Sequence, residues 1–163
     1  MIINFARIDD RLIHGQVTTV WVKEAKAERI IICNDAIYQD DLRKTLLKQA
    51  APPGIKVNVV NIDKAVSVYN NPKYQQDTVF YLFTNPADVL AIIEKGVPIK
   101  SINIGGMAYR EGKTQITKAV SLDKNDVDAF NQLNDLNIKL DLRVVYSDPS
   151  IDFIKKINEI DIA

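Results

Sequence analysis

The chain has 163 residues, of which 47% are hydrophobic and 26% charged, enough for one domain with a sizeable core. Lys plus Arg and Asp plus Glu each number 21, so the formal net charge is zero, which argues against a general nucleic-acid binder. A single cysteine excludes an intrachain disulfide, and a single histidine without a cysteine pair offers no metal-ligand pattern.

Residues 2–8 are apolar and strand-like, and residues 15–27 carry helical periodicity. Between them runs a charged loop with Arg7, Asp9, Asp10, Arg11 and the only histidine, His14. Those charges interrupt any secretory segment, and no apolar run approaches the ~18 residues of a membrane span, so a cytoplasmic protein is expected. Residues 29–34 form a second strand rich in β-branched residues, with Cys33 as a small core residue. Ile37, Leu42, Leu46, Leu47 and Ala50 then fall near helical spacing, up to the stop at Pro52-Pro53-Gly54.

Residues 56–61 predict a third strand and residues 63–69 a short helix. Residues 78–83 are an apolar fourth strand, and Asn85-Pro86 opens a helix as N-cap and first-turn proline. Residues 101–104 predict a fifth strand stopped by Gly105-Gly106. Residues 114–122 read as an edge strand or hairpin arm after a turn at Glu111-Gly112-Lys113. Asp123 caps a helix with Val127, Phe130, Leu133 and Leu136 on one side, and residues 139–146 alternate as a last main strand. Asp148-Pro149 is expected to start a final helix carrying Ile151, Ile154 and Ile157.

This β-α-β-α rhythm predicts one α/β domain over residues 1–163, a three-layer α/β/α stack. Its sheet is open and mostly parallel, with about six main strands and room for an extra edge strand or hairpin. In such a sheet the site lies beyond the carboxyl ends of the strands. Those ends carry Asp9, Asp10, Arg11 and His14, then Asn34-Asp35, Asn61 and Asp63, Thr84-Asn85, Gly105-Gly106 and Ser147-Asp148.

The concentration around His14 is the informative part. Neutral imidazole is a good nucleophile near pH 7, and arginine forks recognise phosphate. Gly15 stands at the start of a helix, where backbone N–H groups and the dipole favour an anion. Arg7 or Arg11 could hold phosphate oxygens, and Asp9 or Asp10 could accept the other ring N–H. The spacing leaves the aspartate and the reacting nitrogen open. Gly105 and Gly106 could approach a phosphate, and Arg110 and Lys113 could fold over it. Leu12, Ile13 and Met107 are candidates for an apolar rim, Ile13 being the one most apt to pack inward. Trp21 and Val22 are expected in the core.

Residues 7–17, Arg-Ile-Asp-Asp-Arg-Leu-Ile-His-Gly-Gln-Val, resemble the phosphorylation-site motif of the IIB subunits of mannose/fructose/sorbose-type sugar phosphotransferase systems. Ile32-Cys33-Asn34-Asp35, Phe83-Thr84-Asn85-Pro86 and Asn103-Ile104-Gly105-Gly106-Met107 extend the resemblance over essentially the whole chain. The resemblance implies a phosphohistidine–sugar phosphotransferase component needing no metal or organic cofactor. In it, His14 takes a phosphoryl group from a phosphorylated IIA domain and passes it to a sugar held by membrane IIC and IID subunits. It further implies that Arg7 and Arg11 bind phosphate, and that the cytoplasmic protein is recruited to the inner membrane face through IIC and IID. Mannose, fructose, sorbose, glucose and amino sugars all fit, and the oligomeric state, a homo-oligomer included, stays open. The alternatives are a non-catalytic small-anion-binding module and a regulatory docking module of the same fold.

Overall fold

The computed structural model describes residues 1–162, without the side chains of Gln16 and Val17; Ala163 and those two side chains lie outside the described residues. The chain builds a seven-stranded sheet of order β3-β2-β4-β1-β5-β8-β9. Its strands are β1 (Ile2–Asp9), β2 (Arg29–Cys33), β3 (Lys56–Val60), β4 (Thr78–Phe83), β5 (Ser101–Gly106), β8 (Lys139–Leu142) and β9 (Ile151–Asp152). All neighbours pair in parallel except β9, which runs antiparallel to β8. A separate two-stranded ribbon joins β6 (Thr114–Gln115) and β7 (Ser121–Leu122).

Two apolar clusters cover the two faces. One packs Ile8, Ile31, Tyr81 and Ile104 under helices α4 (Ile62–Tyr69), α5 (Pro86–Glu94), α6 (Lys124–Asp135) and α7 (Phe153–Asn158). The other packs Ile30, Ile32, Phe80 and Leu82 under α1 (Gly15–Glu24), α2 (Asp35–Tyr38) and α3 (Asp41–Gln49). The connection after β1 therefore uses one face and the connection after β5 the other. β1 and β5 are adjacent, so their carboxyl ends flank a crevice at the topological switch point.

Local chemistry explains most boundaries. Asn85 accepts from the Asp88 N–H and Pro86 follows at the first helical position, as expected for α5. Asp123 opens α6 with a reciprocal capping box to Asp126. Four expectations are corrected. Residues 35–50 form two helices, because the Asp40 side chain accepts from the Arg43 N–H and starts α3. On α3, Leu42 and Leu46 face solvent at 70% and 55% exposure. β5 runs through Gly105-Gly106 instead of stopping there. Both arms of the β6–β7 ribbon lie within residues 114–122, so Glu111-Gly112-Lys113 precedes the ribbon and is not its turn.

The fourth correction concerns the last strand. β8 ends at Leu142, because the carbonyls of Arg143 and Val144 turn to accept from the Arg7 guanidinium. Asp148 then bonds the Val145 N–H, and Asp152, not Asp148, caps α7. Ile151 sits on the edge strand at 45% exposure.

Candidate active site

Residues two apart on a strand share a face. Arg7 and Asp9 therefore leave β1 on the side of Trp21, while Ile8 enters the opposite core cluster. After Asp9 the backbone turns through Leu12, whose φ of +60° is rare for a branched residue. Its N–H bonds the Asp9 carbonyl at 2.9 Å, and its side chain is buried with Trp21 and Val22. His14 is the N-cap of α1, with its N–H donating to Thr18 Oγ1 at 3.0 Å.

The imidazole does not cap its helix. Its Nε2 lies 2.9 Å from Asp9 Oδ2 and the side chain is 23% exposed. Asp9 itself is wholly buried and gathers three cationic or N–H partners. Arg7 Nη2 donates to Oδ2 at 3.0 Å, Arg11 Nη2 to Oδ2 at 2.9 Å, and Arg11 Nε to Oδ1 at 3.0 Å. Burial alone would push the Asp9 carboxyl up. Hydrogen bonds from Arg11 and His14, with the charges of Arg7 and Arg11, outweigh it and hold the group below the usual carboxylate range. An ionised carboxylate only accepts, so Nε2 carries the hydrogen that meets Asp9, which in a neutral ring places the lone pair on Nδ1. Among the described residues Nδ1 has no hydrogen-bond partner.

The two arginines stand in different places. Arg7 is buried to 2% exposure, and both its terminal nitrogens are engaged by Asn103, Asp9 and the Arg143 and Val144 carbonyls. Burial lowers the pKa of this guanidinium, with the Asp9 charge opposing. Arg11 is 48% exposed, and the Asp9 hydrogen bond raises its pKa. Its Nη1 has no partner among the described residues. Gly15, with φ +49°, begins α1, whose first turn carries no acidic residue against the dipole.

The remaining sequence candidates divide. Asp10 accepts from the Ala108 N–H at 2.7 Å and so ties the loop after β5 to the His14 loop. Gly105 faces the Arg7 guanidinium, and Gly106 faces Asp9 and Arg11, so both make room for the ionic cluster. Thr84 and Asn85 form a separate polar group one strand away, in which Asn34 and Asn85 donate to Asp88 Oδ2 at 2.8 and 3.0 Å. Arg110 is exposed, whereas Lys113 turns away to pair with Asp126 at 3.0 Å. Leu12 and Met107 are each 1% exposed and cannot form an apolar rim; Ile13, expected inward, is the one left half-buried.

Sequence reasoning missed Asn103, Thr18 and the carbonyls after β8. Strand parity could have favoured Asp9 over Asp10, since Asp9 shares Arg7's face. Asn103 stands in a segment that carries the family resemblance, but nothing local to it assigns it a role at the site. Among the described residues no group of three or more His, Cys, Asp or Glu is placed to hold a metal ion.

The arrangement is an oriented imidazole with one open nitrogen, a half-exposed guanidinium and an uncapped helix start. Residues 3–162 match the family model described as the sorbose-subfamily IIB component of the phosphotransferase system. The chain belongs to that family. Its members are phosphoryl carriers of sugar phosphotransferase systems and work with IIA and membrane IIC and IID partners. The sorbose-specific EIIB component of Klebsiella pneumoniae is 66% identical over 98% of this chain and 97% of its own length. That of Lacticaseibacillus casei is 63% identical over 98% of both. The mannose-specific EIIAB component of Escherichia coli K12 is 52% identical over 99% of this chain, which spans 50% of that protein. The crystal structure of the IIB domain of the Klebsiella pneumoniae sorbose permease superposes with a TM-score of 0.97 at 64% identity, covering all of both chains. Among the described residues of this IIB chain, no helix is long and apolar enough to cross a membrane.

Proposed function

We propose that His14 Nδ1 carries the phosphoryl group. The observation behind this is the 2.9 Å contact of His14 Nε2 with Asp9, which leaves Nδ1 as the only ring atom with an available lone pair. Nδ1 attacks the phosphorus of a phosphohistidine on a IIA domain. The new N–P bond forms as the old one breaks, and the bonding pair returns to the donor imidazole. A sugar hydroxyl then attacks the phosphorus and releases its proton to solvent; the new O–P bond forms as the N–P bond breaks, and the bonding pair returns to Nδ1. Positive charge that develops on the His14 ring is stabilised by Asp9. Arg11 Nη1 and the N–H groups of the first turn from Gly15 receive the phosphoryl oxygens. Arg7 stands behind Asp9 as support, Asp10 fixes the rim loop, and Arg110 adds a cation there. Gly105 and Gly106 give the cluster room, and Thr84 and Asn85 serve α5 more than the phosphate.

In this reading residues 1–163 act as one IIB domain, recruited to the inner face of the membrane by IIC and IID subunits. The two sorbose-specific relatives, at 66% and 63% identity against 52% for the mannose-specific one, favour a sorbose transporter. Incubation with phosphorylated IIA is expected to add one acid-labile, base-stable phosphate, absent from His14→Ala. Labelling of that variant would overturn the assignment. Membranes carrying IIC and IID then test the sugar, with sorbose expected to discharge the phosphoprotein and mannose not.

A further inference from the structure

Asn103 lies in the middle of β5, in register with Arg7 of β1 on one side and Asp141 of β8 on the other. It is 2% exposed. Its Oδ1 accepts from Arg7 Nη1 at 2.5 Å. Its Nδ2 donates to the carbonyls of Asp141 and Arg143 at 3.3 and 3.2 Å and lies 3.4 Å from Asp141 Oδ2. The amide thus grips Arg7 and the segment leaving β8 together. That segment presents the Arg143 and Val144 carbonyls to the same guanidinium. Trp21 Nε1 also donates to Val144 at 3.3 Å, and its ring lies 5.0 Å from Arg7 Cζ.

We infer that Asn103 is a positioning residue for phosphoryl transfer: through Arg7 and Asp9 it sets which nitrogen of His14 is available. The chain of contacts has no slack. The four terminal N–H groups of Arg7 have four acceptors, two on each nitrogen. Because the guanidinium is planar, the acceptors of Nη1, Asn103 and Arg143, help fix the direction in which Nη2 reaches Asp9 Oδ2. Arg7 in turn fixes the carboxylate that takes the Nε2 hydrogen of His14. A neutral amide suits this place. An aspartate would put a second carboxylate beside Asp141 and compete with Asp9 for Arg7. A leucine would leave one guanidinium hydrogen without its acceptor in a buried site.

This inference rests on the proposed role of His14, and one experiment separates the two. The chain has a single histidine, so a long-range ¹⁵N–¹H spectrum reports one imidazole. Wild type is expected to show the Nε2–H tautomer and to be phosphorylated on Nδ1. Asn103→Leu, and the smaller Asn103→Ser should leucine prevent folding, are expected to raise the share of Nδ1–H tautomer. Phosphorylation by phospho-IIA should slow ~10-fold, the scale on which outer-shell partners act, with part of the phosphate moving to Nε2. Arg7→Lys, which keeps the charge but loses the planar fork, should move the tautomer the same way. A folded Asn103 variant with the wild-type tautomer, Nδ1 phosphorylation and a rate within about twofold of wild type would overturn the role of Asn103. Wild-type phosphorylation on Nε2, or none on His14, would instead overturn the reading of the site.

Discussion

Gly105 and Arg7 occupy one niche: a β-carbon added at Gly105 would stand 2.0 Å from both Cζ and Nη2 of the Arg7 guanidinium. The conflict is steric, because Gly105 is a strand residue without a positive φ. Gly105→Ala must therefore push Arg7 out of its pocket. Overpacking of this kind typically costs ~1–3 kcal/mol, and it also loosens Asp9. The urea midpoint and the phosphorylation rate are both expected to fall. Gly106→Ala should be milder, because its nearest neighbour, Asp9 Oδ1, would be 3.1 Å away.

Asp9→Ala removes the counter-charge of a buried arginine. Leaving one member of such a pair unpaired costs about 3–5 kcal/mol, and the His14 ring loses its acceptor. Asp9→Asn keeps the shape, yet its NH₂ must face a guanidinium or the ring hydrogen. Thermal unfolding is expected to rank wild type above Asp9→Asn and Asp9→Ala, and labelling from phospho-IIA should be strongly reduced in both.

Arg11 should separate stability from transfer. It is 48% exposed, so loss of its ion pair with Asp9 is expected to cost no more than about 1 kcal/mol. If it meets phosphoryl oxygens in the transition state, Arg11→Ala should slow transfer by a factor on the order of 10². Single-turnover labelling beside urea unfolding measures both, and a large loss of stability with intact transfer would reverse its role.

The buried Asp9 and the half-buried Asp88 should shape the acid limb with opposite signs. Asp9 has a lowered folded-state pKa, so the unfolded chain binds more protons there. Its contribution is present above the ordinary carboxylate value and is lost as pH falls through the folded value. Asp88 is raised, first by burial and further by Asp35, against hydrogen bonds from Asn34 and Asn85. Its contribution is full below the ordinary value and is lost as pH rises through the folded one. Unfolding midpoints measured downward from neutral pH should therefore fall less steeply in Asp9→Asn and more steeply in Asp88→Asn than in wild type.

The fold was legible wherever short-range chemistry decides. The Asn85-Pro86 start, the Asp123 cap and the apolar runs of β2 and β4 each depend on neighbours within a few residues. The α2–α3 break was misread because Leu42 and Leu46 keep helical spacing while facing solvent; spacing reports a shared face, not what covers it. The end of β8 was misread because alternation persists to Tyr146, while Arg7, 137 residues from Val144, draws that carbonyl out of the ladder.

The alternation of strands and helices, the charged loop at the first strand's end and the single imidazole within it are all readable in the chain before it folds. Periodicity, capping and charge content are written in adjacent residues. Only the fold put Arg7 inside and Arg11 at the rim, and brought in Asn103 and two backbone carbonyls. Those choices depend on which strands lie side by side and where a glycine leaves space for a guanidinium, and β1, β5 and β8 meet only when the chain has folded.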